Sequence, residues 1–402
     1  MKISMKWLAL SSVALGLLVA GCNGGSSSTT SSGESGGSTA MGGETVKIGL
    51  VASLNGDLRP WGIDSQSGAQ LAVNEINAAG GINGKKIELM IEDSGSKPDQ
   101  GKTAAERLIS KGASVIVGEV ASGITAQIAG AAAEKKIPVI AVGATKTQLP
   151  GIGEYVFRVC YTDDLQGPVM ANFAYDELGL RNVALMTDKK QPYSVYLSQT
   201  FSATFKNLGG KIVDEQFYES GQTQFSGVLT QVKAKSPDGL FLSGYFTEVG
   251  PIARQAKEAG LDGVKFMGGD GWDSSEILTS GGDAILGSYF CNHYNNKEDR
   301  PEVKTFLEKW DKTYKGIPGT TMGALAYDAT NLAADAIKRA KDSSKAADIV
   351  TALSETENFP GVSGLITLKG MGGNPPKRAL VVQLTKDGQV FAKAYEAKDV
   401  KK

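Results

Sequence analysis

Ser122 opens the segment "SGITAQIAGAAAEK", whose apolar residues recur at helical spacing, directly after the run "ASVIVGEV". At a helix start, a serine hydroxyl and the free N–H groups behind it favour an anion such as a carboxylate, although serine there is also an ordinary cap. The next run, "KKIPVIAVGAT", ends in Gly143, Ala144 and Thr145. The two small residues let a guest approach the backbone, Thr145 offers a hydroxyl and an N–H, and the Gly143 carbonyl can accept from an ammonium group; the same residues also suit a plain turn. Far along the chain, "FMGGDGWD" sets Asp270 among glycines after another apolar run, where its carboxylate can pair with that ammonium. Trp61 follows the first run, Tyr193 follows "RNVALMTD" and Tyr245 follows "PDGLFLSG". Each can wall an apolar side chain or merely pack at a rim. Together these groups fit both ends of an α-amino acid.

Reactive chemistry finds little support. The single histidine, His293 in "CNHYNN", has no G-x-S-x-G elbow to serve and reads as structural. One histidine and scattered cysteines do not make a metal cluster. "GGINGKK" lacks phosphate-loop spacing and runs into a strand, whereas such a loop must open a helix. We therefore expect no catalysis, no cofactor and no metal. Acidic (43) and basic (42) residues nearly cancel, so no basic stripe invites nucleic acid.

The elements that must position these groups alternate. "VKIGLVAS", "KKIELMIED", "ASVIVGEV" and "KKIPVIAVGA" read as strands separated by helical patterns, which predicts a doubly wound α/β unit. A second series starts at "RNVALMTD" and continues through "KIVDEQFY", "PDGLFLSG" and "GVKFMGGDG", with helices near 195–208, 225–234 and 249–259. Helices near 302–314, 322–340 and 345–354 follow, then expected strands "GLITLKG", "RALVVQLT" and "QVFAKAYE". More helices and strands after a finished unit suit a chain that crosses between two lobes more than once.

The N-terminal residues are expected to lie outside the fold. Residues 1–21, with Lys2 and Lys6 before an apolar stretch, read as a signal peptide. Val19-Ala20-Gly21-Cys22 resembles the bacterial lipobox, in which the cysteine is acylated, and residues 22–43 form a Gly/Ser/Thr-rich tether. Cys160 and Cys291 remain; they either pair in an oxidising compartment or stay as two buried thiols.

The stretches "IGLVASLNGDLRPWGID", "GAQLAVNEINAAGGINGKKIELMIEDS", "PVIAVGAT", "FRVCYTDDLQG", "SGYFTEVGPIARQAKEAG", "FMGGDGWD" and "ALAYDATNLAADAI", in this order, resemble the leucine/isoleucine/valine-binding family of extracytoplasmic solute receptors that feed ABC transporters. The resemblance implies a periplasmic binding protein type 1 fold: two Rossmann-like lobes joined by three crossover strands. Lobe 1 would comprise residues 44–159 and 292–375, and lobe 2 residues 160–291 and 376–402. It implies carboxylate binding by Ser122 and Thr145, ammonium acceptance by the Gly143 carbonyl, Thr145 and Asp270, close approach at Ala144, and aromatic walls from Trp61, Tyr193 and Tyr245. The family usually has glutamate where this chain has Asp270, and Ala121 takes the place of one cysteine of a first-lobe disulfide. Cys160 and Cys291 fall near neighbouring crossovers, so a hinge-region disulfide between them is a hypothesis, with two separate thiols as the open alternative. By this resemblance the implied protein is a lipid-anchored, extracytoplasmic monomer whose partners are an aliphatic or branched-chain amino acid and the membrane permease of an ABC transporter.

Overall fold

The computed structural model describes residues 45–402; the expected signal peptide, Cys22 and the tether lie outside the described residues. The first series is β1 (Val46–Ala52), α1 (Arg59–Ala78), β2 (Ile87–Asp93), α2 (Pro98–Ser110), β3 (Val115–Val117), α3 (Ser122–Glu134), β4 (Val139–Ala141) and β5 (Val156–Arg158). Its five strands form a sheet in the order β2-β1-β3-β4-β5, parallel throughout. Helices cover both faces, which is why the short runs VIV and VIA of β3 and β4 are buried at every position.

The second series is α4 (Asp163–Asn172), β6 (Asn182–Asp188), α5 (Pro192–Asn207), β7 (Lys211–Tyr218), α6 (Ser226–Ala234), β8 (Gly239–Ser243), α7 (Phe246–Glu258), β9 (Lys265–Gly268), α8 (Glu276–Gly281) and β10 (Tyr289–Asn292). After it come α9 (Pro301–Tyr314), α10 (Met322–Arg339), α11 (Ala346–Ser354), β11 (Ala379–Thr385) and β12 (Gly388–Tyr395). The second sheet runs β12-β11-β10-β9-β8-β6-β7, with β10, β11 and β12 paired antiparallel and the rest parallel. Helix α10 packs on α1 and against β3 and β4, so the chain returns to the first sheet after β10 and comes back to the second at β11. With the passage after β5, that makes three crossings between the sheets.

This topology positions the site. In each sheet the strand order reverses beside the first strand of its series, β1 or β6, and a crevice opens there at the carboxyl ends of the strands. Trp61, Ser122 and Thr145 follow β1, β3 and β4; Tyr193, Tyr245 and Asp270 follow β6, β8 and β9.

Three details differ from expectation. "GLITLKG" is not a strand: only the isolated bridge between Phe359 and Ile366 forms there. Helix α4 escapes a propensity reading because Gly167 and Pro168 lie within it. Strands β5 and β10 escape because they have only 3 and 4 residues.

The α1–α10 crossing brings backbones into contact. A Cβ added at Gly68 would lie 1.9 Å from the Gly323 carbonyl oxygen, so an alanine must push the two helices apart. Overpacking of this kind costs about 1–3 kcal/mol. Gly68→Ala is expected to lower the thermal midpoint by several degrees; a midpoint equal to wild type would show that the crossing tolerates a methyl group.

Candidate functional site

Between the two sheets lies a nearly closed cavity lined by Trp61, Val120, Ser122, Gly143, Thr145, Tyr193, Tyr245, Asp270, Gly271 and Met322. The free volume among them is only about 10 Å³, room for about one water molecule, so the lining residues stand closely packed around it. Of the residues singled out from sequence, Ala144 alone stays outside this lining. It is fully buried, and its carbonyl turns away to accept from Arg158 Nη1 at 2.6 Å and from the Cys160 thiol at 3.4 Å.

Arg158, at the end of β5, shapes the strand end "AVGATKT". Its guanidinium is buried and also donates to the carbonyls of Lys146 and Thr147, at 3.1 and 2.9 Å. With three carbonyls drawn to one side, Gly143 and Thr145 face the cavity. A Cβ at Gly143 would come within 2.9 Å of both Met322 Sδ and Val120 Cγ1, so only glycine leaves the space open.

Ser122 is the first residue of α3 rather than its cap; Ala121 holds the cap position, and no side chain caps the helix. The Ser122 hydroxyl instead accepts from the Lys146 N–H at 3.2 Å, which ties the β3 and β4 strand ends together. Glu119 anchors the preceding turn, accepting from the N–H groups of Val120 and Ala121 at 2.7 and 2.9 Å and from Ser53 Oγ at 2.5 Å. Burial pushes its carboxyl upward against those hydrogen bonds.

On the opposite wall, the Asp270 N–H donates to Gln166 Oε1 at 2.6 Å, and Asp270 Oδ2 lies 3.0 Å from His293 Nε2. His293 is buried and stacked on Tyr161, with ring centroids 4.0 Å apart. Its ring thus supports the acid from behind. The Gly271 N–H donates to the Tyr193 hydroxyl at 3.1 Å, and Tyr193 stacks on Tyr245 with centroids 5.4 Å apart. Burial raises both phenols well above their ordinary range, so they stay protonated. Trp61 closes the cavity from the first sheet's side. It meets Tyr245 and Phe246 edge-on at 5.1 and 5.2 Å, and its indole N–H donates to the Asp273 carbonyl at 2.7 Å.

The unmet hydrogen-bonding capacity is concentrated here. Thr145 Oγ1, the Tyr245 hydroxyl and Asp270 Oδ1 are buried without a hydrogen-bond partner of normal geometry. Buried polar atoms are paired in the great majority of cases, so three around one cavity describe a place built for a polar guest. A carboxylate oxygen and a hydroxyl lone pair suit a cation, while the N-terminal N–H groups of α3 suit an anion.

Of the two readings left open for the cysteines, the structure shows the unpaired one. Cys160 and Cys291 are free, buried thiols. Cys160 is directed to the Ala144 carbonyl and Cys291 lies beside the Tyr161 hydroxyl, so the two sulfurs serve different neighbours. Burial pushes the Cys160 thiol up to about 12 and Cys291 higher, which keeps both protonated and unreactive. Among the described residues, no group of three or more His, Cys, Asp or Glu side chains could hold a metal ion, and no helix is long and apolar enough to cross a membrane.

Sequence reading missed Val120, Gly271 and Met322 in the lining, and Glu119 and Gln166 behind it; His293, read as structural, is buried there against Asp270. Gly271 stands next to Asp270 and could have been found from the same strand end. Met322 looks like helix core, and nothing local distinguishes it.

Comparisons with known proteins agree with this architecture. The periplasmic binding protein family profile matches residues 45–389. A Leu/Ile/Val-binding protein, BraC3 of Rhizobium johnstonii, is 31% identical over 325 residues, which span 80% of this chain and 87% of that protein. The crystal structure of the leucine-binding protein LivK from Thermotoga maritima superposes with a TM-score of 0.83 at 33% identity, covering 88% of this chain and 100% of that one. LivJ from Streptococcus pneumoniae, a branched-chain amino acid transporter substrate-binding protein crystallised with isoleucine, gives 0.81 at 32% identity, with the same coverage of 88% and 100%. The chain belongs to the periplasmic binding protein family, and its relatives there include Leu/Ile/Val-binding proteins.

Proposed function

We propose that the protein is a lipid-anchored, extracytoplasmic receptor that captures an aliphatic or branched-chain amino acid and delivers it to an ABC transporter permease. The observation that carries this reading is the ring of unpartnered buried oxygens, Thr145 Oγ1, Tyr245 OH and Asp270 Oδ1, around a cavity otherwise walled by Trp61, Val120 and Met322. Ser122 and the Thr145 N–H would take the carboxylate. The Gly143 carbonyl, Thr145 Oγ1 and Asp270 would take the ammonium, and the apolar walls would take the side chain. A buried zwitterion is costly unless both charges meet partners, so capture requires both sheets' residues at once. Lobe 1 (44–159 and 292–375) would therefore close on lobe 2 (160–291 and 376–402) about the crossovers, with ligand populating the closed form. Cys22 would carry the anchor.

A thermal-shift screen of the purified protein against the twenty amino acids tests the reading. A ligand at a hundred times its dissociation constant stabilises the folded state by about 2.7 kcal/mol. Leucine, isoleucine and valine are expected to raise the midpoint. A shift with none of them, or with aromatic acids alone, would contradict it.

A further inference from the structure

Asp163 is a buried acid that the binding scheme above does not use. It follows the first crossover, at the start of α4, and does not line the cavity. Its backbone N–H donates to the Thr145 carbonyl at 2.8 Å, which brings its side chain beside the Thr145 hydroxyl. One carboxyl oxygen, Oδ1, accepts from Gln166 Nε2 at 2.9 Å, and Gln166 Oε1 in turn accepts from the Asp270 N–H. The other, Oδ2, is buried with no hydrogen-bond partner of normal geometry, and so is Thr145 Oγ1 next to it.

A hydroxyl has one proton and two lone pairs. For Thr145 Oγ1 to accept from an ammonium, its own proton needs an acceptor elsewhere, and Asp163 Oδ2 is an unused one at its side. We propose that Asp163 is a positioning residue for ammonium capture: its free carboxylate oxygen takes the Thr145 hydroxyl proton and so turns the threonine lone pairs toward the ligand. Through Gln166 the same side chain braces Asp270, so one residue at the start of α4 sets both halves of the ammonium subsite. The inference rests on the amino-acid reading above.

Proton linkage follows. Burial, and then the neighbouring Asp270, push the Asp163 carboxyl up to about 8. Arg158 opposes this shift, while the remaining titratable neighbours, Cys160, Cys291, Tyr193 and Tyr245, are thiols and phenols that burial keeps protonated. In the empty site at neutral pH, Asp163 therefore holds a proton. An incoming ammonium favours the ionised carboxylate, so that proton leaves to solvent as the ligand binds. Because the ligand-free pKa is the raised one, affinity increases with pH up to about 8 and levels off above it.

The test is calorimetry of the whole protein with L-leucine, L-isoleucine and L-valine, in buffers of different ionisation enthalpy, between pH 6 and 8. The expected result is release of a large part of one proton per ligand near pH 6.5 and an affinity gain of at least about fivefold from pH 6 to 8. Asp163→Asn and Thr145→Val should each abolish the proton release and flatten the pH profile. Proton release of zero in the wild type, which requires no variant to fold, would overturn the inference while leaving amino-acid binding intact, as would release that persists in Asp163→Asn. Failure of all three amino acids to bind would overturn the functional reading and this inference together.

Discussion

Asp270→Ala is expected to weaken amino-acid binding by at least tenfold, and its physical basis points to more. Truncating one partner of a buried, hydrogen-bonded charge pair costs about 2–5 kcal/mol, a loss between about thirtyfold and several thousandfold. Asp270 is 3% exposed, and one of its oxygens is already committed to His293. Removing the acid strands the ligand's ammonium in a dry site and also leaves His293 Nε2 without its partner. Asp270→Asn separates shape from charge: it keeps the side-chain volume and still loses most of the affinity if the carboxylate's charge is the cause. Asp270→Glu preserves the charge on a longer arm and should lose less. Calorimetry giving wild-type affinity for Asp270→Ala would remove the residue from the binding scheme.

Trp61→Ala is the second large effect. The indole bridges the two sheets through its 2.7 Å hydrogen bond to the Asp273 carbonyl and its edge contacts with Tyr245 and Phe246. Truncating a buried tryptophan costs about 3–5 kcal/mol. Much of that contact spans the two sheets, so much of the loss falls on the closed form that ligand must populate. Affinity is expected to drop by about thirtyfold or more, equivalent to about 2 kcal/mol. Small-angle scattering should show a smaller ligand-induced contraction at subsaturating amino acid than in the wild type. Affinity within threefold of wild type would mean that Trp61 stabilises its own sheet and contributes nothing to closure.

Much of this site was legible because parallel sheets place ligand groups by rule. A short Val/Ile run followed by small or polar residues identifies a strand's carboxyl end, and Trp61, Ser122, Gly143, Thr145, Tyr193, Tyr245 and Asp270 were each found that way before being seen around one cavity. Ala144 shows the limit of the rule: successive residues at a strand end point in different directions, and Arg158 takes its carbonyl. The supporting groups were hidden for another reason. Gln166 and His293 reach Asp270 from sequence separations of 104 and 23 residues, through crossovers whose geometry no local pattern encodes. Whether the two thiols pair stayed open at the sequence because nearness to neighbouring crossovers says nothing about where the sulfurs point; they are free and buried.

The central claim is that a single zwitterion is clasped between the strand ends of the two sheets. A crystal structure of the protein with bound L-leucine tests it most directly. The expected density places one ligand with its carboxylate at Ser122 and Thr145 and its ammonium between the Gly143 carbonyl, Thr145 Oγ1 and Asp270. A leucine found instead in the groove lined by Ile76, Phe306 and Tyr327, with the Asp270 cavity empty, would contradict it.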